Sequence, residues 1–301
     1  MTAATPAATT ACIACGSPLS LALSIRFRKD GFAIVRCETC GLMFRAELPT
    51  KADLAEIYDS SYFRSGVADT GGQGYHDYVR DEELHREIAR RRLERLEHFV
   101  PSGRVLDVGA AAGFFVSEAA RRGWDARGID ISAEMVQWGR GRLGVELDRQ
   151  TLAELEAESG SFDVVTMWDY IEHALDPRED LLRARDLLGP CGVIALSTGD
   201  AASLTAKISA GRWHLLTPRH HNYFFTAGSL RLLLRGLGFE VVYEGHPGAR
   251  YSMRYLAHKL STIFNVALVR RLADAVGASA VGALKVPLNL GDIVTIIARP
   301  G

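Results

Sequence analysis

The stretch Arg104-Val105-Leu106-Asp107-Val108-Gly109-Ala110-Ala111-Ala112-Gly113-Phe114-Phe115 constrains the fold of this 301-residue chain more than any other. A short apolar run reads as a buried strand, and it stops at a glycine. A second glycine then opens an apolar helix from Phe114 to Arg122. A strand that turns straight into a helix leaves backbone N–H groups at the turn and lets a ligand approach closely. The next strand-like run, Trp124 to Ile131, carries Asp130 near its end. An acid at the tip of a second strand is placed to accept hydrogen bonds from a ribose diol. The pattern predicts an open α/β sheet with its ligand at the carboxyl ends of the strands. A dinucleotide fold wants Gly-x-Gly-x-x-Gly, whereas here three alanines separate Gly109 from Gly113, so NAD fits poorly.

Three later segments extend the pattern. Phe162 to His173 reads as a strand and the loop after it. Leu187 to Thr198 holds a Gly-Pro-Cys-Gly turn and a strand. Leu230 to Phe239, then Glu240 to Gly245, reads as a helix and a strand, and Asp292 to Arg299 as a last strand. Over roughly residues 75–300 the chain resembles the class I S-adenosylmethionine (SAM)-dependent methyltransferases, with a core similar to the ubiquinone-biosynthesis-type O-methyltransferases. The resemblance implies a Rossmann-like α/β fold: a seven-stranded sheet whose last strand is antiparallel and inserted between the fifth and sixth. It implies SAM as cofactor, bound by Asp107, Gly109, Ala110, Ala111, Gly113, Asp130, Ile131, Trp168 and Asp169. The chain departs from the family at two positions. Ala111 stands for the middle glycine of the first motif, and Cys191 for the second glycine of the later turn. Alanine keeps the backbone donors. Cys191 itself reads as a small buried residue.

Four of the five cysteines form matched pairs, Cys12-x-x-Cys15-Gly16 and Cys37-x-x-Cys40-Gly41. A two-residue gap lets both thiolates of a pair reach one ion from a tight turn. The Gly16–Arg36 loop between the pairs is slightly longer than the usual spacing of about 15–20 residues. Leu21–Phe27 and Phe32–Arg36 read as two strands joined at Lys29-Asp30-Gly31, a hairpin turn signal. Two knuckles and a hairpin make a zinc ribbon, with Cys12, Cys15, Cys37 and Cys40 holding one structural Zn²⁺ tetrahedrally. Disulfides do not suit a cytoplasmic chain, and a redox dithiol needs one pair only.

These readings divide the chain into a ribbon at 1–48, an aromatic helix and linker at 49–74, and a methyltransferase domain at 75–301. Leu42 to Phe63 reads as a short helix and an aromatic loop with Tyr58, Tyr62 and Phe63. The glycine-rich Ser65–Gly74 reads as a linker or lid. His76 to Val100 reads as a helix whose Leu84, Ile88, Leu93, Leu96 and Phe99 face inward, with Arg86, Arg90, Arg91, Arg92 and Arg95 on a solvated face among acids.

Methyl transfer is an in-line displacement on a sulfonium. The protein must orient donor and acceptor, and must deprotonate a hydroxyl or acidic carbon. A histidine with an ordinary pKa near 6.5 suits that task. His173 follows Glu172 at a strand end. His220 and His221 lie in the loop Trp213–Phe224, which resembles the family's loop after strand five. His221 is favoured as base because its loop is long enough to reach the acceptor, and Glu172 is assigned to orienting His173 or binding a metal.

Lys+Arg is 35 against 36 Asp+Glu, a net charge of −1, which speaks against bulk nucleic-acid binding. No Asn-Pro-Pro-Tyr-like tetrad for amino-group methylation is present. An RNA base methyltransferase and a non-catalytic SAM-binding module are the competing classes. No apolar run reaches the ~18 residues of a membrane span, and no secretory signal opens the sequence, so the expectation is a cytoplasmic enzyme of a small-molecule acceptor. Tyr255–Leu272 reads as a basic amphipathic helix. Packing on the core or in a homodimer is its ordinary use, ahead of membrane contact through 251–272.

Overall fold

The computed structural model describes residues 11–19, 25–50, 79, 81–254, 256–257, 261 and 266–301. Tyr58, Tyr62, Phe63, the Ser65–Gly74 linker and much of Tyr255–Leu272 lie outside the described residues.

The main sheet holds seven strands: β4 (Arg104–Val108), β5 (Asp125–Asp130), β6 (Glu146–Arg149), β7 (Phe162–Trp168), β8 (Leu188–Gly199), β10 (Phe239–Gly245) and β13 (Ile293–Pro300). Their order is β10-β13-β8-β7-β4-β5-β6. Six run in one direction, and β13 alone is reversed, antiparallel to both β8 and β10. The expected seven-stranded sheet with an inserted, reversed last strand is therefore present. Its parallel strands are apolar on both faces because helices cover both. Val105, Leu106, Val164, Val165, Met167, Ile194 and Leu196 are all fully buried. The flanking helices are α1 (Glu82–Leu96), α2 (Phe114–Arg121), α3 (Ala133–Leu143), α4 (Pro177–Leu187) and α6 (Ala227–Gly236), with a short α5 at Leu204–Ser209. Asp176 caps α4 by accepting from the amides of Arg178 and Glu179, with Pro177 in the first turn where its missing N–H costs nothing.

The N-terminal hairpin is β1 (Ile25–Lys29) and β2 (Phe32–Arg36). Asp30 and Gly31 both have positive φ, 52° and 84°, which matches the twist of a two-residue hairpin turn. A correction follows directly. Leu42 onward does not start a helix: Met43–Arg45 is a strand, β3, paired with β2 on one edge and with β9 (Tyr223–Phe224) on the other. The ribbon sheet is thus four-stranded, β1-β2-β3-β9, and its last strand belongs to the loop after β8. Cys37, Leu42 and Phe44 share one buried cluster with Tyr223, Phe225 and Leu230.

Three further expectations change. Cys191 is exposed, because the Gly-Pro-Cys-Gly segment bulges out of the β7–β8 ladder between the pairs Phe162–Leu188 and Val164–Val193. Phe99 lies beyond the end of α1 and is exposed. Tyr255–Leu272 is not one continuous helix: Val266 has extended dihedrals and the helix α7 runs from Ala267 to Ala278. The strands β11 (Ala249–Ser252) and β12 (Lys285–Leu288) pair with each other on either side of it. No helix among the described residues is long and apolar enough to cross a membrane.

Candidate functional site

The turn after β4 is built by residues that only its geometry explains. Gly109 and Gly113 have φ of 73° and 78°. A Cβ at Gly109 would lie 2.7 Å from the Tyr170 ring, and one at Gly113 2.9 Å from Leu147. Glycine answers both the dihedral and the space. Ala111 takes a φ of 47°, so the residue at the middle-glycine position is held in a left-handed conformation that alanine adopts at a cost. What holds it is Asp130: one carboxylate oxygen accepts from the Ala111 amide and the other from the Ser132 amide, both at 2.8 Å. The acid at the tip of β5 therefore ties the β4 turn to the start of α3. Burial raises the Asp130 carboxyl above its usual range against the pull of those amides. Ile131, next along, contributes its backbone N–H to the same carboxyl. Ala110 is buried, its amide given to the Ile129 carbonyl.

Asp107, one strand turn below, is fully buried and accepts a 2.6 Å hydrogen bond from Thr166. Burial pushes its pKa up to about 7. It braces β4 against β7.

At the end of β7, Asp169 also has positive φ, 52°. Its carboxylate accepts from Arg92 at 2.6 Å and from the Ser197 hydroxyl at 2.8 Å. The Arg92 guanidinium lies over the Trp168 ring, 4.6 Å from its centroid. Burial works against the Asp169 charge, yet Arg92 and Ser197 outweigh it and hold the carboxyl below the usual range. The expected solvated face of α1 thus fails at two arginines. Arg92 points into the site. Arg86 is buried and bonds Glu118 at 2.7 Å and Ser117 at 3.3 Å, clamping α1 onto α2. His85, two α1 turns before Arg92, stacks parallel on Phe114 with centroids 5.6 Å apart. Burial, then the charge of Arg92, pushes its pKa down to about 4. Arg92, His85 and Ser197 are the site residues that sequence reading missed. The available signal was position: Arg92 falls between Ile88 and Leu96 at four-residue spacing, inside the apolar stripe.

The second half of the site joins residues from two loops. His173 and His221 meet edge to face, centroids 4.7 Å apart. His173 Nδ1 lies 2.9 Å from the His220 carbonyl, and His221 Nδ1 3.0 Å from the Leu215 carbonyl. Burial pushes His173 down to about 4 and His221 well below the ordinary range, so both imidazoles are neutral at neutral pH. Glu172 is buried; burial, then the charge of Asp169, raises it to about 8, and its side-chain partner is Thr198. One Glu172 oxygen is buried with no hydrogen-bond partner. Glu172, His173 and His221 each offer one donor atom, all within 4.8 Å of one another. The sequence showed no such cluster around Glu172. His220 reaches the group through its backbone carbonyl.

The four cysteines converge as the spacing requires. Cys12 Sγ lies 3.5 Å from Cys40 Sγ, and Cys15 Sγ 3.6 Å from Cys37 Sγ, with all four sulfurs within 4.8 Å of one another. Thiolates about 2.3 Å from a tetrahedral ion sit about 3.8 Å apart, so the set fits Zn²⁺ with little movement. The knuckles match: the Gly16 amide bonds the Cys12 carbonyl and the Gly41 amide the Cys37 carbonyl, each at 2.8 Å.

Comparison with known proteins places this geometry. The family described as "Methyltransferase domain" matches residues 80–244. A ubiquinone biosynthesis O-methyltransferase of Xanthomonas axonopodis pv. citri is 34% identical over 154 residues, covering 47% of this chain and 64% of that protein. The chain spans just under two thirds of the length of the curated relatives it matches. Magnesium protoporphyrin IX methyltransferase from Synechocystis, solved with bound SAH, superposes with a TM-score of 0.53 at 16% identity, covering 84% of this chain and 100% of that one. The Burkholderia thailandensis 1,6-didemethyltoxoflavin-N1-methyltransferase, solved with 1,6-didemethyltoxoflavin and S-adenosylhomocysteine, gives 0.50 at 17% identity over 92% and 99% of the two chains. At these identities the two structures are evidence of shared fold.

Proposed function

The chain belongs to the methyltransferase-domain family, and from that premise we propose that it transfers the methyl group of SAM to a hydroxyl or activated carbon of a small molecule. The observation that carries the reading is the bridge from Asp130 to the Ala111 amide at the β4 turn, with Arg92 and Asp169 facing it across the strand ends. In this reading Asp130 accepts from the ribose hydroxyls with the lone pairs that the three backbone amides leave free. The glycine turn Gly109–Gly113 lets the cofactor lie against backbone. Arg92 meets the methionyl carboxylate, and Trp168 and Asp169 pack and hydrogen-bond the adenine and methionine parts. Bound SAM supplies an electrophilic methyl group and a neutral leaving sulfide.

The acceptor side then falls to Glu172, His173, His220 and His221. The transfer needs the acceptor oxygen or carbon in line with the methyl, and a group that takes its proton. His173 and His221 are neutral, each with Nδ1 committed to a carbonyl, and on His221 this leaves Nε2 to face an acceptor. The curated relatives act in ubiquinone biosynthesis as O-methyltransferases, which favours a hydroxyl acceptor here. We infer that the cysteine site holds structural Zn²⁺ and takes no part in the displacement.

The test is incubation of the full chain with isotopically labelled SAM and fractionated metabolite extracts, read by mass spectrometry, beside calorimetry of SAM and of NAD. SAM binding and a labelled product are expected. Tight NAD binding with none to SAM refutes the reading.

A further inference from the structure

We propose that the four-cysteine ribbon is the strut of the acceptor-side loop. The backbone of Met43–Arg45 positions Asn222 to Phe224 and, through them, Glu172 and His173. Metal occupancy of the cysteines is therefore felt at the acceptor end of the cleft and not at the cofactor end. The inference rests on the zinc reading for one of its two experimental arms.

Each link is a hydrogen bond. The Cys37 amide donates to the Leu42 carbonyl at 2.8 Å, closing the second knuckle at the residue before β3. In β3, Met43 stands opposite Phe224 and Phe44 opposite Tyr223. The Arg45 amide donates to the Asn222 carbonyl at 2.9 Å. Asn222 is fully buried, and its own amide donates to the Glu172 carbonyl at 2.8 Å. The Tyr223 amide donates to the same carbonyl at 3.2 Å. The Asn222 side-chain amide donates to the His173 carbonyl at 2.8 Å and to that of Ala174 at 3.2 Å. The run from thiolate knuckle to catalytic-side carbonyls is thus continuous. Packing follows the same path: Phe44 and Tyr223 lie 6.3 Å apart, in the cluster that also holds Cys12 and Cys37.

β9 has two residues, too few to hold an edge by itself, so it depends on β3. The β3 edge depends in turn on the ribbon, whose hairpin has little core of its own. Small four-cysteine modules of this kind lose their fold with their metal, which makes the ribbon a two-state element. Among the described residues the cofactor turn has no such tie. Its defining bonds run from Gly109, Ala110 and Ala111 to Ile129 and Asp130, all within β4, β5 and the turn.

The experiment is hydrogen–deuterium exchange of the full chain, with SAM affinity by calorimetry on the same samples. Two perturbations are compared: removal of metal by a chelator, and Arg45→Pro. Proline deletes the N–H that reaches Asn222 while leaving all four cysteines in place. Arg45→Ala keeps that N–H and serves as the conservative control. Chelation and Arg45→Pro should each raise exchange across residues 219–226 by about tenfold or more, the scale of one lost hydrogen bond in a local opening. Arg45→Ala should exchange as the native chain does. Amides of Leu106–Val108 and Val164–Met167, and the affinity for SAM, should stay unchanged. Arg45→Pro is expected to keep its metal, measured by emission spectrometry. The proposal is overturned if Arg45→Pro leaves exchange at 219–226 unchanged, or loosens Leu106–Val108 equally, or abolishes SAM binding. An untreated chain without metal refutes the zinc reading alone, and Arg45→Pro then decides the strut.

Discussion

Asp130→Ala separates the structural duty its carboxylate performs from the ribose binding proposed for it. In the free protein its oxygens accept from the Ala111 and Ser132 amides, both at 2.8 Å. Alanine leaves both donors without that acceptor, and a buried N–H left unpaired costs about 1–3 kcal/mol. Ala111 adds its own cost, because its φ of 47° is stable only while something holds it. A fall in stability of about 2–5 kcal/mol is therefore expected, part of it offset where water reaches the turn. The proposed second duty is to the ribose. Losing one charge-assisted bond of about 1.5–3 kcal/mol weakens SAM binding roughly 10- to 150-fold. The assay is calorimetric titration with SAM, with urea denaturation of the same preparation so that affinity is referred to folded protein. S-adenosylhomocysteine, which shares the ribose, should lose affinity equally. Unchanged SAM affinity in a folded Asp130→Ala protein refutes the placement of the ribose. Lost affinity for SAM with retained affinity for S-adenosylhomocysteine refutes it as well, since the defect then lies elsewhere.

Four further outcomes are expected. Emission spectrometry of purified protein should give about one zinc per chain, and Cys40→Ser should lose most of it; a folded, metal-free protein with four free thiols counts against the ribbon. Arg92→Met should weaken SAM binding at least about tenfold, because a carboxylate loses its cation while Asp169 loses its partner; unchanged affinity by calorimetry removes Arg92 from the site. His173 is pushed by burial from 6.5 down to about 4, so between those values the unfolded chain binds the additional proton and stability falls as pH drops, by up to about 1.4 kcal/mol per pH unit. His173→Gln should flatten that slope in urea titrations, and a parallel slope argues against a buried neutral ring. Glu172 has the opposite sign: burial raises it from 4.5 to about 8, so stability is lost as pH rises through that window. Glu172→Gln, neutral at every pH, should lose less stability than the native chain between pH 5 and 9, and equal losses refute a protonated Glu172.

The cofactor half was legible because each of its constraints is local. Gly109 and Gly113 announce a turn that forbids a Cβ, and Asp130 announces a strand tip. Arg92 was obscured by its neighbours. Five arginines crowd one helix, and a count of charges reads them all as solvated, although the four-residue spacing from Ile88 to Leu96 places Arg92 on the inner stripe. β3 was unreadable for a different reason. Met43-Phe44-Arg45 is too short to show a period, and its partner in β9 lies far along the chain, so nothing local marks it as a strand. The environment of the half-buried histidines is likewise non-local: the pair His173 and His221 exists only because the loop after β8 folds back over the end of β7.

Glu172 is where the two halves meet, and its chemistry follows from that position. Its backbone carbonyl anchors Asn222 and Tyr223 from the ribbon side, while its side chain turns to Thr198 of β8. Burial, then the charge of Asp169, keeps the proton on the carboxyl at neutral pH. The sequence leaves Glu172 either orienting His173 or binding a metal. A neutral carboxyl is a hydrogen-bond donor, and either a neutral imidazole nitrogen or an acceptor oxygen can receive from it. The neighbouring imidazoles are neutral for the same reason of burial. On the proposed reading, an acceptor entering this end meets no ionised group among Glu172, His173 and His221, with the Arg92–Asp169 pair beside them. That environment favours an uncharged hydroxyl acceptor, whose proton passes to a neutral imidazole as the bond to the methyl group forms. A charged amine would have to shed its proton before it could enter.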